Sequence, residues 1–313
     1  MDCKQYYRPS SASLWDELEG DFASRVELLD LSDGATIKSR GARYGLVGFC
    51  CDASAGKCVG SLGAADAPEA IRAALQGLNL HSPDELTFYD VGDVVCLEGR
   101  ATDAQHCLAQ IVSTLRKHQI KPLVLGGGTV TSFGHYQGLM DVNPCSHLGL
   151  VSFSSCLSLQ SDSESGSRTA FWQIAEASRA AGLDFNYTCL GVQPSANASS
   201  EFERAHEVGA HYLTADIFQQ ESFDDLCALL DDATKGSETI FLSINLNVFA
   251  SAFASGVIRP QPLGVSPMQV VPLIRHLLET GKVSGFEVLG LNPPNDTHGL
   301  TAKLAADLIY QIL

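Results

Sequence analysis

Short, largely apolar runs recur along most of this chain, separated by stretches with helical apolar spacing. Runs of this kind lie at 46–50, 87–91, 122–125, 148–153, 186–190, 211–213, 239–244 and 284–288. A strand that is apolar at nearly every position has two buried faces, as a parallel strand does when helices pack above and below it. The intervening segments read as helices near 68–75, 102–118, 170–181, 200–208, 222–231, 267–279 and 299–312. In the second of these, Leu108, Ile111, Val112 and Leu115 recur at helical spacing. Pro68 stands in a first turn, where its missing N–H costs nothing. This alternation predicts an α/β fold, a three-layer αβα sandwich around a mostly parallel sheet. The chain has 313 residues, 45% of them hydrophobic, with no internal repeat and no long linker. It therefore reads as a single domain over 1–313, with 1–44 an N-terminal segment packing on it. The polar run at 161–167 reads as a loop.

Charge and cysteine usage narrow the classes of function. Thirty-six acidic against twenty basic residues give a net charge of −16. That balance disfavours nucleic-acid binding, which needs Lys and Arg to displace phosphate counterions. No apolar stretch is long enough to span a membrane, and the first residues carry no apolar export signal, so a cytoplasmic protein is expected. In that setting the ten cysteines do not suggest a disulfide framework. Cys50, Cys51, Cys96, Cys107, Cys189 and Cys227 lie in apolar stretches and read as buried thiols. No Cys-x-x-Cys pairing suggests zinc.

Three segments carry polar residues directly after an apolar strand: the Gly-rich turn Leu125-Gly126-Gly127-Gly128-Thr129-Val130, the run Leu150–Leu159, and Ser243–Phe249. In a parallel sheet, the carboxyl ends of the strands are where ligands and metals bind. The side chains here are Thr, Ser, Cys and Asn, where hard divalent metals take carboxylate and imidazole. Taken one at a time, such residues are ordinary turn and capping residues. Taken together, they converge on one edge of the predicted sheet.

These segments resemble the ureohydrolase family of arginase, agmatinase and formimidoylglutamase, whose members carry a binuclear manganese cluster. The family's Gly-Gly-Asp/Gly-His motif matches here with Thr129 at the His position. Its Asp-Ala-His-x-Asp motif matches with Ser154, Cys156 and Ser158 at the ligand positions. Its Ser-x-Asp-x-Asp motif matches with Asn245 and Asn247 in place of the aspartates. The framework around them is retained in Asp90-Val91-Gly92-Asp93, Gly134-His135-Tyr136-Gln137-Gly138, Val248-Phe249-Ala250 and Asn292-Pro293, and it is most similar to the formimidoylglutamase branch. The resemblance covers roughly 45 to 313 and implies an arginase-like fold. On the substrate side it implies that Gly290 replaces an acidic residue, that Gln160 and Ser61 replace arginines, and that Asn197 is kept at a loop position facing substrate.

Four aspartates would neutralise most of the charge of two divalent ions, and neutral Ser and Asn do not. Manganese, the family cofactor, is therefore expected to be absent, with no metal in its place. Without it there is no metal-bound hydroxide, since free water has a pKa of about 15.7. The reading is a catalytically silent pseudoenzyme with a binding, assembly or regulatory role. The resemblance implies a homo-oligomer, with pairing to an active relative, or a small amino-acid or guanidino ligand in the residual pocket, as further options. The alternative is a hydrolase of linear amidine or guanidine C–N bonds, acting through metal held in an unanticipated way or through Cys156. His135 is the candidate base for such a Cys–His dyad.

Overall fold

The computed structural model describes residues 3–15, 21–32, 43–52, 62–81, 86–142, 147–161, 166 and 168–312. Most of the polar run at 161–167 and the Ser61 position lie outside the described residues. The strands are β1 (Tyr7–Arg8), β2 (Val26–Leu28), β3 (Arg43–Cys50), β4 (Thr87–Val95), β5 (Lys121–Gly126), β6 (Leu148–Phe153), β7 (Asn186–Val192), β8 (His211–Thr214), β9 (Thr239–Asn245) and β10 (Val283–Leu289). They form one sheet in the order β1-β4-β3-β5-β10-β9-β6-β7-β8, with β2 also pairing β4. Every pairing is parallel except that of β1 with β4.

The helices are α1 (Asp21–Ser24), α2 (Ala67–Gln76), α3 (Ala101–Lys117), α4 (Thr131–Val142), α5 (Ala170–Ala181), α6 (Ser199–Glu207), α7 (Ala215–Phe218), α8 (Phe223–Ala233), α9 (Pro267–Glu279) and α10 (Leu300–Tyr310). Alternate strand residues point to opposite faces of a sheet, and that alternation divides the core in two. Leu123, Leu125, Ile240, Leu242 and Ile244 pack on one face with Ile71 of α2, Leu226 of α8, Leu273 of α9 and Leu308 of α10. Val124, Leu150 and Phe241 pack on the other with Leu108 of α3, Tyr136 of α4 and Ile174 of α5. All seven residues of β10 and all six of β6 are buried, as strands covered on both faces require. The result is the expected sandwich of helices, sheet and helices. No helix among the described residues is long and apolar enough to cross a membrane.

The N-terminal segment supplies two strands that the apolar pattern did not show, because two or three residues carry no readable period. Asp90 of β4 holds that segment: its Oδ2 accepts from Ser10 Oγ (2.7 Å) and Trp15 Nε1 (2.8 Å). Its Oδ1 pairs with the fully buried Arg72 of α2 at 2.9 Å, and Arg72 also reaches Asp93 at 2.7 Å.

The thiol expectation needs correction at three cysteines. Cys107 is bonded to Cys3, with Cα atoms 5.3 Å apart. The pairing of β1 with the end of β4 carries the chain start across to α3, a contact that sequence spacing does not encode. Cys50 and Cys96 are only partly buried, because both stand where strands leave the sheet, whereas Cys51, Cys189 and Cys227 are buried as expected.

Candidate functional site

Four neighbouring strands, β5, β10, β9 and β6, deliver the candidate residues to one edge. Thr129 follows β5, Gly290 follows β10, Asn245 ends β9 with Asn247 in the turn after it, and Ser154, Cys156 and Ser158 follow β6. Strand order, not chain order, makes these turns adjacent.

Their polar atoms are largely turned on the protein itself. Asn245 Oδ1 accepts from the Asn247 N–H at 3.0 Å, and Asn247 Oδ1 accepts from the Ser155 N–H at 3.1 Å. Ser154 Oγ accepts from the Cys156 N–H at 3.1 Å. Ser158 is 1% exposed with φ of 56°, and its carbonyl receives Phe171 and Trp172 at the start of α5. Thr129 is 4% exposed, and its carbonyl accepts from the Ser132 N–H at 3.0 Å. Gly290, with φ of 94°, donates its N–H to Gly127 at 2.7 Å. A Cβ at Gly290 would stand 2.2 Å from Asn245 Oδ1, so these two positions are packed against each other. Among the described residues, no three His, Cys, Asp or Glu side chains stand together as a metal site would require.

Asn197 serves the same loop as an internal brace. Its Oδ1 accepts from Leu157 at 2.9 Å, and its Nδ2 donates to the Ser155 and Gln193 carbonyls at 2.9 and 2.8 Å. Both ends of that amide are engaged within the loop, and the residue also lines the cavity beside it. Asp296 caps α10, accepting from Thr301 and Ala302 at 2.9 Å each.

The Cys–His dyad is not assembled. His135 is fully buried, its Nδ1 lies 3.1 Å from Glu287 Oε2, and its ring meets the Phe241 ring edge-on. Glu287 also accepts from Ser132 Oγ (2.5 Å) and Ser243 Oγ (2.7 Å), making a closed polar knot inside the sandwich. His135 Nε2 points at Gly285, which is level with Phe241 and hence with Leu150 in the neighbouring strands. Cys156 lies six residues further along the chain than Leu150, beyond the strand end. Its thiol neighbours are Ser155 Oγ at 3.7 Å and the Ala196 carbonyl at 3.9 Å. Burial pushes the Cys156 thiol up, away from the thiolate that nucleophilic attack needs.

Two arginines missed in the sequence stand beside Cys156. A cavity of about 400 Å³ is lined by Gln160, Arg168, Ser195, Asn197, Arg259 and Gln261. Both guanidinium groups act on the Cys156 thiol by favouring its charged form, though less strongly than burial opposes it. Arg168 pairs with the buried Glu201, which also takes Gln160 Nε2 at 3.3 Å. The Gln160 N–H donates to the Arg168 carbonyl at 2.8 Å, which closes the polar loop and returns a guanidinium to the neighbourhood of position 160. The signal available in the sequence was the arginine that ends the Ser-rich loop.

The Arginase family profile matches residues 42–313. Formimidoylglutamase of Legionella pneumophila (strain Paris) is 33% identical over 315 residues, covering 98% of this chain and 97% of the relative. Formimidoylglutamase of Geobacillus thermodenitrificans is 31% identical over 317 residues, with 98% and 97% covered. Among solved structures, formimidoylglutamase from Bacillus subtilis superposes with a TM-score of 0.76 at 19% identity, over 90% of this chain and 94% of that one. Trypanosoma cruzi formiminoglutamase with Mn2+2 gives 0.76 at 22% identity, over 87% and 92%. With a profile match over most of its length and full-length relatives above 30% identity, the chain belongs to the arginase family and is similar within it to the formimidoylglutamases.

Proposed function

We propose that this chain is a catalytically silent member of its family that acts through binding, assembly or regulation. One observation carries the reading. The side chains at Thr129, Ser154, Cys156, Ser158, Asn245 and Asn247 include no carboxylate and no imidazole, and the oxygens of Ser154, Asn245 and Asn247 already accept backbone N–H groups. A pair of divalent ions brings four positive charges into a partly buried pocket, and neutral donors leave that charge uncompensated. Coordination would also strip the strand-end turns of the hydrogen bonds that shape them, leaving buried N–H groups unpaired. The residues present do not fit a manganese pair. Cys156 gives no substitute nucleophile, because burial keeps it protonated and its partners are a hydroxyl and a carbonyl.

The ligand that suits what remains is a small amino acid presenting a carboxylate. Arg168, which Glu201 already pairs, and Arg259 line the cavity beside Cys156, and guanidinium groups pair carboxylates through parallel N–H bonds. A guanidino ligand suits this rim less well, since like charges would face one another. Homo-oligomer formation, or pairing with an active relative, belongs to the same proposal as the means by which a silent subunit exerts an effect.

The test is elemental analysis of the purified protein after incubation with excess manganese, alongside assays for urea and formamide release from arginine and formimidoylglutamate. Substoichiometric metal and no release are expected. Stoichiometric manganese together with turnover would overturn the reading.

A further inference from the structure

β3 and β4 run parallel with Cys50 register-paired to Val95, so one residue further Cys51 and Cys96 leave the sheet side by side. The Cys96 N–H donates to the Cys50 carbonyl at 2.9 Å, which carries the ladder to the end of both strands. Cys51 and Cys96 both pack into the apolar layer that holds Val47, Phe49 and Val94, so both side chains leave the same face of the sheet. Cys51 is 3% exposed and Cys96 only partly buried, so Cys96 is the more accessible of the two. Adjacent strands lie about 4.8 Å apart, inside the Cα separation that a disulfide bridges without backbone movement.

We propose that Cys51 and Cys96 form a redox-active dithiol, which low-molecular-weight disulfides convert to an intramolecular disulfide. The Cys96 thiolate attacks one sulfur of the small disulfide, forming a mixed disulfide and releasing one small thiolate. Cys51 then attacks the Cys96 sulfur, closing the Cys51–Cys96 bond, and its proton leaves on the second small thiol. The protein loses two electrons and two protons, and the small disulfide becomes two thiols. Cys96 is the attacking group because the hydrogen bond from Cys51 lowers its pKa, outweighing partial burial and the nearby Asp52 and Asp103. The neighbouring Cys50 is pushed up to about 12 by burial, which makes it a poor competitor. Cys3 and Cys107 are already bonded to each other.

The position couples this pair to the candidate site. Asp52, next to Cys51, accepts from the Gly63 and Ala65 N–H groups at 3.2 and 3.0 Å. Between them, Ala64 packs so tightly on Gly127 that a Cβ there would meet its carbonyl at 2.1 Å. Closing the disulfide therefore acts one residue away from the turn that seats the Gly-rich loop bearing Thr129. The proposal is independent of metal content and of catalysis.

The test treats the full chain with oxidised glutathione under native conditions, alkylates the remaining thiols, and maps peptides without reduction by mass spectrometry. A Cys51–Cys96 cross-linked peptide is expected, reversed by reduced glutathione. In C51S the reaction should stop at the first step, leaving glutathione on Cys96; C96S should yield neither product. Oxidation that bridges other cysteines while leaving Cys51 and Cys96 alkylated overturns the proposal, and so does a stable Cys96 adduct in the unmutated chain. The mapping of the unmutated protein decides the matter even where a variant fails to fold.

Discussion

Gly290 and Asn245 show at single-residue scale how the strand-end turns are packed against one another. The glycine is held at φ of 94°, and the space a Cβ would take is filled by Asn245 Oδ1. Any side chain at 290 is strained by its backbone and also clashes with an oxygen that shapes the next turn. Gly290→Ala is expected to cost about 1–3 kcal/mol in urea denaturation. Part of that loss should disappear in an Asn245→Ala background, where the clash is gone and the φ strain remains. An equal penalty in both backgrounds would show that Asn245 is not the obstacle. Residue identity alone revealed which positions are polar and neutral; it could not reveal that Gly290 and Asn245 exclude one another, because that depends on β9 and β10 being neighbours.

Among the elements, the junction of α2 with β4 and the N-terminal segment holds a buried ion cluster. Arg72 is wholly enclosed and answers both Asp90 and Asp93, while Asp90 also holds Ser10 and Trp15. Deleting one partner of such a cluster leaves a buried charge unpaired, so Arg72→Met should destabilise the fold by about 3–5 kcal/mol. Adding Asp90→Asn should cost less than the sum of the single changes, because the two residues share one interaction. Strict additivity in chemical denaturation would rule out that coupling. The long elements were legible in sequence: α5 and α9 occupy 170–181 and 267–279, the ranges their apolar spacing indicated. β1 and β2 were not, since their pairing with β4 is decided by a partner some sixty to ninety residues away.

At the scale of the whole molecule, one strand order creates the site. The order β5-β10-β9-β6 sets side by side four turns that are far apart along the chain. If that backbone frame is what the family's metal site requires, restoring the ligand types should restore binding. The variant carrying Thr129→His, Ser154→Asp, Cys156→His, Ser158→Asp, Asn245→Asp and Asn247→Asp is expected to bind manganese. At a hundredfold excess over Kd, binding stabilises a fold by about 2.7 kcal/mol, readable as a rise in Tm on titration. Hydrolysis should lag far behind, because misplacing a substrate by about 1 Å can cost on the order of 100-fold. The absence of any thermal response would mean that the frame no longer converges on a cavity, and turnover at the level of an active arginase would mean that the substrate side was intact throughout.

The sequence by itself determined the layered α/β class, the long strands and helices, and the polar neutral character of the strand-end turns, because burial on two faces and helical spacing are local patterns. Tertiary structure alone decided the rest. It bonded Cys3 to Cys107, brought Arg168 and Arg259 to one cavity, and placed Cys51 and Cys96 at neighbouring strand ends. It also turned His135 toward Glu287 and away from Cys156. Each of these depends on which strands become neighbours and which way a helix faces when it packs, and no local pattern of residues records a contact between segments that meet only after folding.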